Sequence, residues 1–180
     1  MRAIPTTLAD VLLLEPQVMG DDRGFFLESY NRQKFSELGI HEEFVQDNHS
    51  FSVRNTLRGL HYQIRHAQGK LIRVVVGEII DVAVDLRRKS PTFRCSAAFV
   101  LSGENKRMAW IPAGFAHGFR VVSDTAQILY KTTDFYSPQD ERTLAWDDPD
   151  LKIDWKLDGT PILSEKDRQG RRLRDTDVFE

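Results

Sequence analysis

Four side chains stand on segments that could place them around one bound substrate. Arg58 and His61 lie in residues 56–63, Lys70 follows a glycine soon after, and Tyr130 lies in a later apolar segment. A histidine can remove a proton near neutral pH, a tyrosine on a facing strand can return one, and a lysine or arginine can stabilise the intervening oxyanion. Spacing alone favours a plainer arrangement, a buried histidine with satisfied hydrogen bonds and a core tyrosine.

A second histidine belongs to a motif that is typical of metal sites. Residues 112–117 read PAGFAH, the P-x-G-x-x-H half of the metal-binding pattern of cupin barrels. Metal-binding members carry H-x-H in the other half, where this chain reads His61-Tyr62-Gln63. First-row metals require several His or carboxylate ligands in fixed geometry, and no adequate third ligand accompanies His61 and His117. The sequence therefore predicts no metal site.

These residues lie in segments that read as short β-strands separated by turn signals. The strand candidates are residues 11–14, 24–30, 44–48, 56–63, 97–101, 107–111, 118–122 and 127–132. Many short strands at such spacing predict an all-β sandwich or barrel. A barrel buries its inward positions, where polar groups are costly unless they are paired or face a ligand cavity.

The clearest strand pattern covers residues 71–86, which read LIRVVVGEIIDVAVDL. The segment is rich in β-branched residues and is interrupted at Gly77-Glu78, which predicts a β-hairpin. In the second arm, apolar residues at even positions alternate with Asp81, Ala83 and Asp85. That alternation predicts one apolar face and one mixed face.

Helical segments are few. Asn31 can cap a helix over residues 32–38, and Gly39 can end it. Short helical turns are predicted at residues 138–141 and 164–169. The expected architecture is therefore strands with a few short helices.

Composition excludes several classes of protein. The chain has 180 residues, 41% of them hydrophobic and 29% charged, which suits a single domain over residues 1–180. The formal net charge of −2 is unlike the basic balance of a nucleic-acid-binding protein. The only cysteine, Cys95, excludes an internal disulfide and suits a reducing compartment. With no long apolar run near the N-terminus, the sequence predicts a cytoplasmic protein without a membrane span.

Ten stretches in one order carry a resemblance to a known family. They are residues 20–30 (GDDRGFFLESY), 44–50 (FVQDNHS), 57–63 (LRGLHYQ), 68–73 (QGKLIR), 81–87 (DVAVDLR), 90–93 (SPTF), 101–107 (LSGENKR), 111–119 (IPAGFAHGF), 129–133 (LYKTT) and 163–167 (LSEKD). With them the chain resembles the dTDP-4-dehydrorhamnose 3,5-epimerases from about residue 15 to residue 167. Such a series is far more specific than any single motif.

The resemblance implies an all-β jelly-roll cupin barrel, usually a homodimer. Family members invert C3 and C5 of dTDP-4-dehydro-6-deoxy-α-D-glucose without a metal or redox cofactor and give dTDP-4-dehydro-β-L-rhamnose. The product belongs to dTDP-L-rhamnose biosynthesis and so to cell-surface polysaccharide such as lipopolysaccharide. A proton α to the C4 ketone can be removed when the enolate is stabilised, and reprotonation from the opposite face inverts the carbon.

The resemblance also assigns roles around this reaction. His61 is expected to be the general base, and Asp167 is expected to orient its ring and stabilise the imidazolium. Tyr130 is expected to be the acid on the opposite face. Lys70 is expected to support the enolate at O4.

The remaining matches imply binding roles. Arg23, Arg58 and Lys166 are expected to meet the diphosphate, and Tyr136 is expected to stack on thymine. Further polar contacts are expected from Glu28, Gln46, Asp47, Asn48, His117 and Glu141. Some of these residues can come from a partner subunit, since family members exchange N-terminal strands. The alternative for each is a solvated surface charge.

Three other functions remain open on the sequence. One is an enzyme of the same fold that inverts C3 or C5 alone, against which the intact Tyr130 weighs slightly. Another is a non-catalytic sugar-nucleotide-binding cupin, which would not need His61, Lys70, Tyr130 and Asp167 together. The third is a metal-dependent cupin isomerase or dioxygenase, which the missing H-x-H disfavours.

Overall fold

Two antiparallel β-sheets face each other across the main apolar core. The computed structural model describes residues 1–180. One sheet has six strands in the order β1-β2-β10-β7-β12-β5, and the other has five in the order β13-β6-β11-β8-β9. Strands β3 and β4 form a separate hairpin. The arrangement is the all-β jelly-roll barrel that the sequence predicts.

The strands and helices are short and follow one another closely. The strands are β1 (Arg2–Pro5), β2 (Leu12–Glu15), β3 (Val18–Asp21), β4 (Gly24–Leu27), β5 (Gln46–Val53), β6 (Leu57–Gln63), β7 (Lys70–Val76), β8 (Glu78–Asp85), β9 (Ser96–Ser102), β10 (Met108–Ile111), β11 (Phe115–Val121), β12 (Thr125–Thr132) and β13 (Glu141–Thr143). The helices are α1 (Arg32–Glu37), α2 (Glu165–Arg168) and a 3₁₀ turn at Leu173–Asp175. None of them has the length and apolar character that crossing a bilayer demands.

The main core lies between the two sheets. Ile72 and Val74 of β7 belong to the same buried cluster as Phe119 and Val121 of β11. The side chains of a strand alternate between its two faces, so every second residue of these strands points inward. Each such side chain contributes about 1.5–3 kcal/mol through burial. This packing holds the two sheets, and hence any site between them, at a fixed separation.

A second core lies on the outer face of the five-stranded sheet. Val82 and Val84 of β8 pack there with Leu151, Trp155 and Leu173 from the C-terminal third of the chain. Both faces of β8 are therefore buried: its apolar face lies in this second core, and Ala83 of its mixed face lies in the main core. The C-terminal segment covers the sheet and brings α2 against the barrel.

The predicted hairpin over residues 71–86 is wrong. Strand β7 pairs with β10 and β12 in the six-stranded sheet, whereas β8 pairs with β11 and β9 in the other sheet. The chain crosses between the sheets at Gly77, whose φ of 79° suits glycine. A side chain at this position would collide with the carbonyl oxygen of Thr125. Period-two alternation identified the strands but does not tell which strands pair.

Helix α1 confirms the predicted capping. The side chain of Asn31 accepts hydrogen bonds from the backbone N–H groups of Gln33 and Lys34, at 3.1 and 3.2 Å. Gly39 follows the helix with a φ of 86°. Phe35 is the buried residue of the helix and anchors a third apolar cluster.

Other boundaries differ from the prediction where elements are very short. The helical turn expected at residues 138–141 is a turn that leads into β13, whose first residue, Glu141, pairs with Gln63. Strands β1, β3 and β13 were not predicted, since three or four residues carry too little alternation. The turn expected at residues 164–169 is confirmed as α2, capped by Ser164.

Candidate active site

A cavity of about 620 Å³ lies between the two sheets and is lined by 21 residues. Both sheets and α2 contribute to its wall. Eleven of the fourteen predicted site residues line it: Gln46, Asn48, Arg58, His61, Lys70, His117, Tyr130, Tyr136, Glu141, Lys166 and Asp167. Only six of the lining residues are hydrophobic. A polar cavity of this size suits a ligand with many hydrogen-bonding groups.

Two glycines bring the histidines of the cavity together. His61 on β6 is the register partner of His117 on β11, and the register shifts immediately beyond that pair. Gly59 has a φ of 120°, and a Cβ added to it would lie 2.5 Å from the Cα of Gly118. Neither glycine can carry a side chain here, because the two backbones approach too closely. This close approach sets where both imidazoles project.

His61 and Asp167 form a hydrogen-bonded pair although they lie 106 residues apart in sequence. The distance between His61 Nε2 and Asp167 Oδ1 is 2.6 Å, and the aspartate side chain is only 3% exposed. With Nε2–H donating to the carboxylate, Nδ1 is the nitrogen that can accept a proton from a ligand. The pair has the base-and-orienter arrangement that proton abstraction requires.

The surroundings of His61 keep its ring ready to act as a base. Burial lowers the pKa of His61 below 6.5, while the hydrogen bond and charge of Asp167 act in the opposite direction. Burial raises the pKa of Asp167, but hydrogen bonds from His61 and Ser164 outweigh that effect and lower it overall. The folded protein thus favours a neutral imidazole beside an ionised carboxylate.

Lys70, the first residue of β7, reaches the same cavity. Its Nζ donates a hydrogen bond of 3.3 Å to the carbonyl oxygen of His61. Burial lowers the pKa of Lys70 to about 8, although the charges of Glu141 and Asp81 partly oppose this. A lysine with this pKa is still largely protonated at neutral pH and can stabilise negative charge on a nearby oxygen.

Tyr130 lines the cavity from the other sheet. It lies on β12 of the six-stranded sheet, whereas His61 lies on β6 of the five-stranded sheet. Burial raises the pKa of Tyr130, against the lowering effect of the Arg58 charge. The phenol is therefore protonated at neutral pH and can donate a proton. A base and an acid on opposite sheets can address opposite faces of one substrate.

A second histidine–carboxylate pair lies beside the first. The sequence predicted His117 as a binding residue but did not predict its pairing with Asp81. His117 Nε2 lies 2.7 Å from Asp81 Oδ2. Asp81 is fully buried, and its Oδ1 has no hydrogen-bond partner. A buried carboxylate oxygen without a partner is costly and is tolerated mainly at functional sites. The signal in the sequence was an aspartate in the middle of β8, where every other residue between Glu78 and Asp85 is apolar.

Glu141 bonds to side chains from two separate segments at the edge of the cavity. Its carboxylate accepts hydrogen bonds from the Tyr136 hydroxyl at 3.0 Å and from the Lys166 ammonium at 2.9 Å. Burial raises the pKa of Glu141, but the contact with Lys166 outweighs it and lowers the pKa overall. Tyr136 on the loop before β13 and Lys166 on α2 are thereby held at one mouth of the cavity.

Strand β5 presents a row of polar side chains to the cavity. Gln46, Asn48 and Ser50 line the cavity at alternate positions of the strand. The side-chain nitrogen of Asn48 and the hydroxyl of Ser50 are buried without hydrogen-bond partners. Arg58 joins the row through a 3.1 Å hydrogen bond from its Nε to Ser52 Oγ. Unpaired buried donors of this kind suit a polar ligand.

Three predicted binding residues do not line the cavity of this chain. Arg23 lies in the turn of the β3–β4 hairpin, where its side chain is 90% exposed and pairs with Asp21. Glu28 pairs with Lys34, and Asp47 pairs with Lys131 on the outer side of β5. Within one chain, these three therefore have no access to a ligand in the cavity.

The histidines of the cavity do not form a metal-ligand cluster. No group of three or more His, Cys, Asp and Glu side chains is arranged to hold a metal ion. His61 and His117 are each hydrogen-bonded to a separate carboxylate instead.

Known proteins of similar sequence and fold are epimerases of dTDP-linked sugars. The sequence matches the family described as dTDP-4-dehydrorhamnose 3,5-epimerase over residues 5–175. It is 61% identical to the dTDP-4-dehydrorhamnose 3,5-epimerase of Pseudomonas aeruginosa, over 99% of each chain. A dTDP-6-deoxy-D-glucose-3,5-epimerase from Legionella pneumophila Philadelphia 1, solved in complex with dTDP-4-keto-L-rhamnose, superposes with a TM-score of 0.96 at 48% identity, over 98% of this chain and 94% of that one. The dTDP-4-dehydrorhamnose 3-epimerase of Streptomyces niveus is 36% identical, over 96% of this chain and 84% of that protein.

Proposed function

Because the chain belongs to the dTDP-4-dehydrorhamnose 3,5-epimerase family, we propose that its cavity converts dTDP-4-dehydro-6-deoxy-α-D-glucose into dTDP-4-dehydro-β-L-rhamnose. The family, the fold and the epimerase activity expected from the sequence are confirmed. The residue roles are the substance of the proposal. One observation supports them: His61 on the five-stranded sheet is paired with Asp167 of α2, and Tyr130 lies on the six-stranded sheet.

His61 is the base in this mechanism. The C4 ketone acidifies the protons at C3 and C5, and Nδ1 of the neutral ring accepts one of them. Asp167, at 2.6 Å from Nε2, holds the ring orientation and stabilises the imidazolium that forms. Burial of the pair keeps water from competing with this contact.

Lys70 stabilises the electron pair that the proton leaves behind. The pair moves from the C–H bond through the α carbon to O4, which becomes an enolate oxygen. The buried Lys70 ammonium is the cation that we assign to that oxygen. A preorganised donor of this kind typically contributes 10²–10³ in rate.

Tyr130 completes each inversion from the other side. Its phenol gives a proton to the face of the α carbon opposite His61, and the enolate electrons return to form the new C–H bond. The imidazolium and the phenolate then exchange protons with solvent, which resets the site for the second carbon. The two new hydrogens at C3 and C5 therefore originate from solvent.

The remaining polar side chains of the cavity bind the nucleotide and the sugar. Arg58 and Lys166 supply positive charge for the diphosphate, and Tyr136 supplies a ring for thymine. Gln46 and Asn48 offer hydrogen bonds to the ligand. We assign His117, with its Asp81 partner, to the sugar.

A homodimer accounts for Arg23 and Glu28, two of the three predicted residues that one chain leaves outside the cavity. In the β3–β4 hairpin, 59% of Phe25 and 65% of Phe26 are exposed to solvent. On the edge strand β5, 57% of Phe51 is exposed. Apolar side chains in such number on an unpaired edge favour an interface. We propose that a second copy covers them and that Arg23 and Glu28 reach the cavity of that copy.

Mixed dimers test this exchange. Arg23→Ala and His61→Ala chains, each inactive alone, are mixed and allowed to re-associate. If Arg23 acts in the partner's cavity, each mixed dimer has one intact site, and about one quarter of wild-type activity returns. Light scattering that shows a monomer, or a mixture that stays inactive, would contradict the exchange.

We also treat residues 1–180 as one catalytic domain in the cytoplasm. The C-terminal segment packs on the barrel and carries Asp167, so it belongs to the catalytic unit. The free cysteine, Cys95, is exposed and suits a reducing compartment. Protease resistance of the whole chain and its fractionation from cells test these two points.

The experiment that tests the residue roles compares wild-type protein with His61→Ala. Product is trapped by an NADPH-dependent dTDP-4-dehydrorhamnose reductase, and dTDP binding is measured by calorimetry. We expect His61→Ala to lose at least about 10³ in turnover while binding dTDP normally. His41→Ala is the control, because His41 is exposed and bonds only to Ser36 among side chains. Wild-type turnover by His61→Ala would remove His61 as the base.

A further inference from the structure

The carboxylate of Asp167 is held by a residue outside the proposed chemistry. Ser164 is the N-cap of α2, and its Oγ accepts a hydrogen bond of 3.2 Å from the backbone N–H of Asp167. The same hydroxyl donates to Asp167 Oδ2 at 2.6 Å. A hydroxyl has one hydrogen and two lone pairs, so both bonds form together. Ser164 therefore fixes the backbone and the carboxylate of one residue at once.

The other carboxylate oxygen is occupied as well. Oδ1 accepts from the backbone N–H of Gly59 at 3.2 Å and from His61 at 2.6 Å. The side chain is 3% exposed, so water does not readily replace any of these donors. Rotation of the carboxylate would break the Ser164 and His61 bonds together. Ser164 thus determines which oxygen faces the imidazole.

We propose that Ser164 is a positioning residue for the catalytic base: through Asp167 it fixes the tautomer and orientation of His61, with Nδ1 left free for the substrate. The proposal rests on the function assigned above to His61. The hydrogen bond from Ser164 also helps to hold the pKa of Asp167 low. Without that donor the carboxylate is a stronger acceptor for the His61 proton, so the imidazole becomes harder to deprotonate.

Other charged groups around the ring are not altered by this contact. The titratable groups that act on His61 are Asp167 and Lys166 on α2 and Lys70 on β7, with Glu141 on β13. His117 is its register partner on β11. The Ser164 hydroxyl bonds to Asp167 alone among these. A change in the titration of His61 in a Ser164 variant would therefore come through Asp167.

The competing explanation is that Ser164 only caps α2 and has no effect on His61. A second serine with an equivalent hydrogen bond away from the cavity distinguishes the two explanations. Ser90 Oγ also donates to a buried aspartate, Asp85 Oδ2, at the same distance of 2.6 Å. Neither Ser90 nor Asp85 lines the cavity. Ser90→Ala therefore removes an equivalent bond away from the reaction.

The test measures kcat, KM and the pH profile of kcat/KM for Ser164→Ala, Ser164→Thr and Ser90→Ala. We expect Ser164→Ala to lower kcat by roughly tenfold to a hundredfold with little change in KM, and to move the acid limb of kcat/KM to higher pH. Ser164→Thr keeps the hydroxyl and should restore both. Ser90→Ala should lower thermal stability but leave kcat and the acid limb unchanged.

Two results would overturn the proposal: a wild-type kcat and acid limb in Ser164→Ala, or the same loss in Ser90→Ala. Should Ser164→Ala fail to fold, Ser164→Gly gives the same readout, since glycine caps helices nearly as well but has no hydroxyl. If His61→Ala keeps wild-type turnover, His61 is not the base and the proposed function itself is wrong. If His61→Ala is inactive while Ser164→Ala is fully active, only the inference about Ser164 is wrong.

Discussion

Replacing Lys70 with methionine should make the protein more stable and almost inactive. Burial lowers the pKa of Lys70 from 10.5 to about 8. At about 1.4 kcal/mol for each tenfold change in the ionisation equilibrium, the buried ammonium destabilises the folded state by about 3 kcal/mol. An apolar side chain of similar length does not carry this cost. In the proposed mechanism, this destabilising charge is the one that stabilises the enolate.

The pH dependence identifies the cause of the gain. A lysine whose folded pKa is lowered destabilises the protein fully below about pH 8, and this effect disappears as the pH rises to 10.5. The stability gained by Lys70→Met should therefore reach up to about 3 kcal/mol at pH 7 and fall below about 1 kcal/mol at pH 10.

Urea unfolding at pH 7 and pH 10, together with the coupled assay, measures both effects. Turnover should fall by about 10²–10³, because the enolate loses its cation. Lys89→Met is the control; Lys89 is exposed, so its replacement should change stability by less than about 0.5 kcal/mol. A Lys70→Met variant that is less stable than wild type at pH 7 would show that the Lys70 charge does not destabilise the fold, and an equally active variant would show that it does not stabilise the enolate.

Two further predictions concern the acid and a structural carboxylate. Tyr130→Phe should lower product formation by about 10²-fold or more while hydrogen exchange at the substrate α carbon falls less, and equal losses by NMR would remove Tyr130 as the acid. Burial raises the pKa of Asp85, but hydrogen bonds from Arg87, Ser90 and Thr92 outweigh it and lower the pKa from 3.8 to about 2. This carboxylate stabilises the fold by about 2 kcal/mol above pH 3.8, and that stability is lost as pH falls through about 2. Asp85→Asn should therefore lower the unfolding free energy at pH 7, with a difference from wild type that shrinks below pH 4; a constant difference would contradict the ion-pair explanation.

The strands were predictable because burial on a sheet leaves a period-two pattern. Strand β12 shows it clearly, and the cap of α1 and the helical turn at α2 were also predicted. Their pairing was not predictable, because alternation contains no information on which strand lies next to which. The wrong hairpin at Gly77 is the clearest example, since that glycine serves a crossing between sheets.

The site depended on resemblance more than on spacing. His61 and Asp167 are 106 residues apart, and nothing local in the sequence connects them. Spacing alone favoured a buried histidine without a catalytic role. Asp81 received no role because its contact with His117 exists only in the folded chain. Ser164 received none because its effect on His61 passes through Asp167, which lies far from His61 in sequence. Arg23 remains a prediction, since its proposed cavity belongs to a second copy.

The most direct test of the account is proton exchange at the two inverted carbons. The protein is incubated in D₂O with dTDP-4-dehydro-6-deoxy-glucose, with and without prior chelator treatment, and C3 and C5 are followed by NMR. The proposed mechanism predicts deuterium at both carbons in both samples, with a product of the L configuration that the reductase accepts. Deuterium at one carbon alone would indicate a single-carbon epimerase, and no exchange at either carbon would contradict the assignment of this cavity to the reaction.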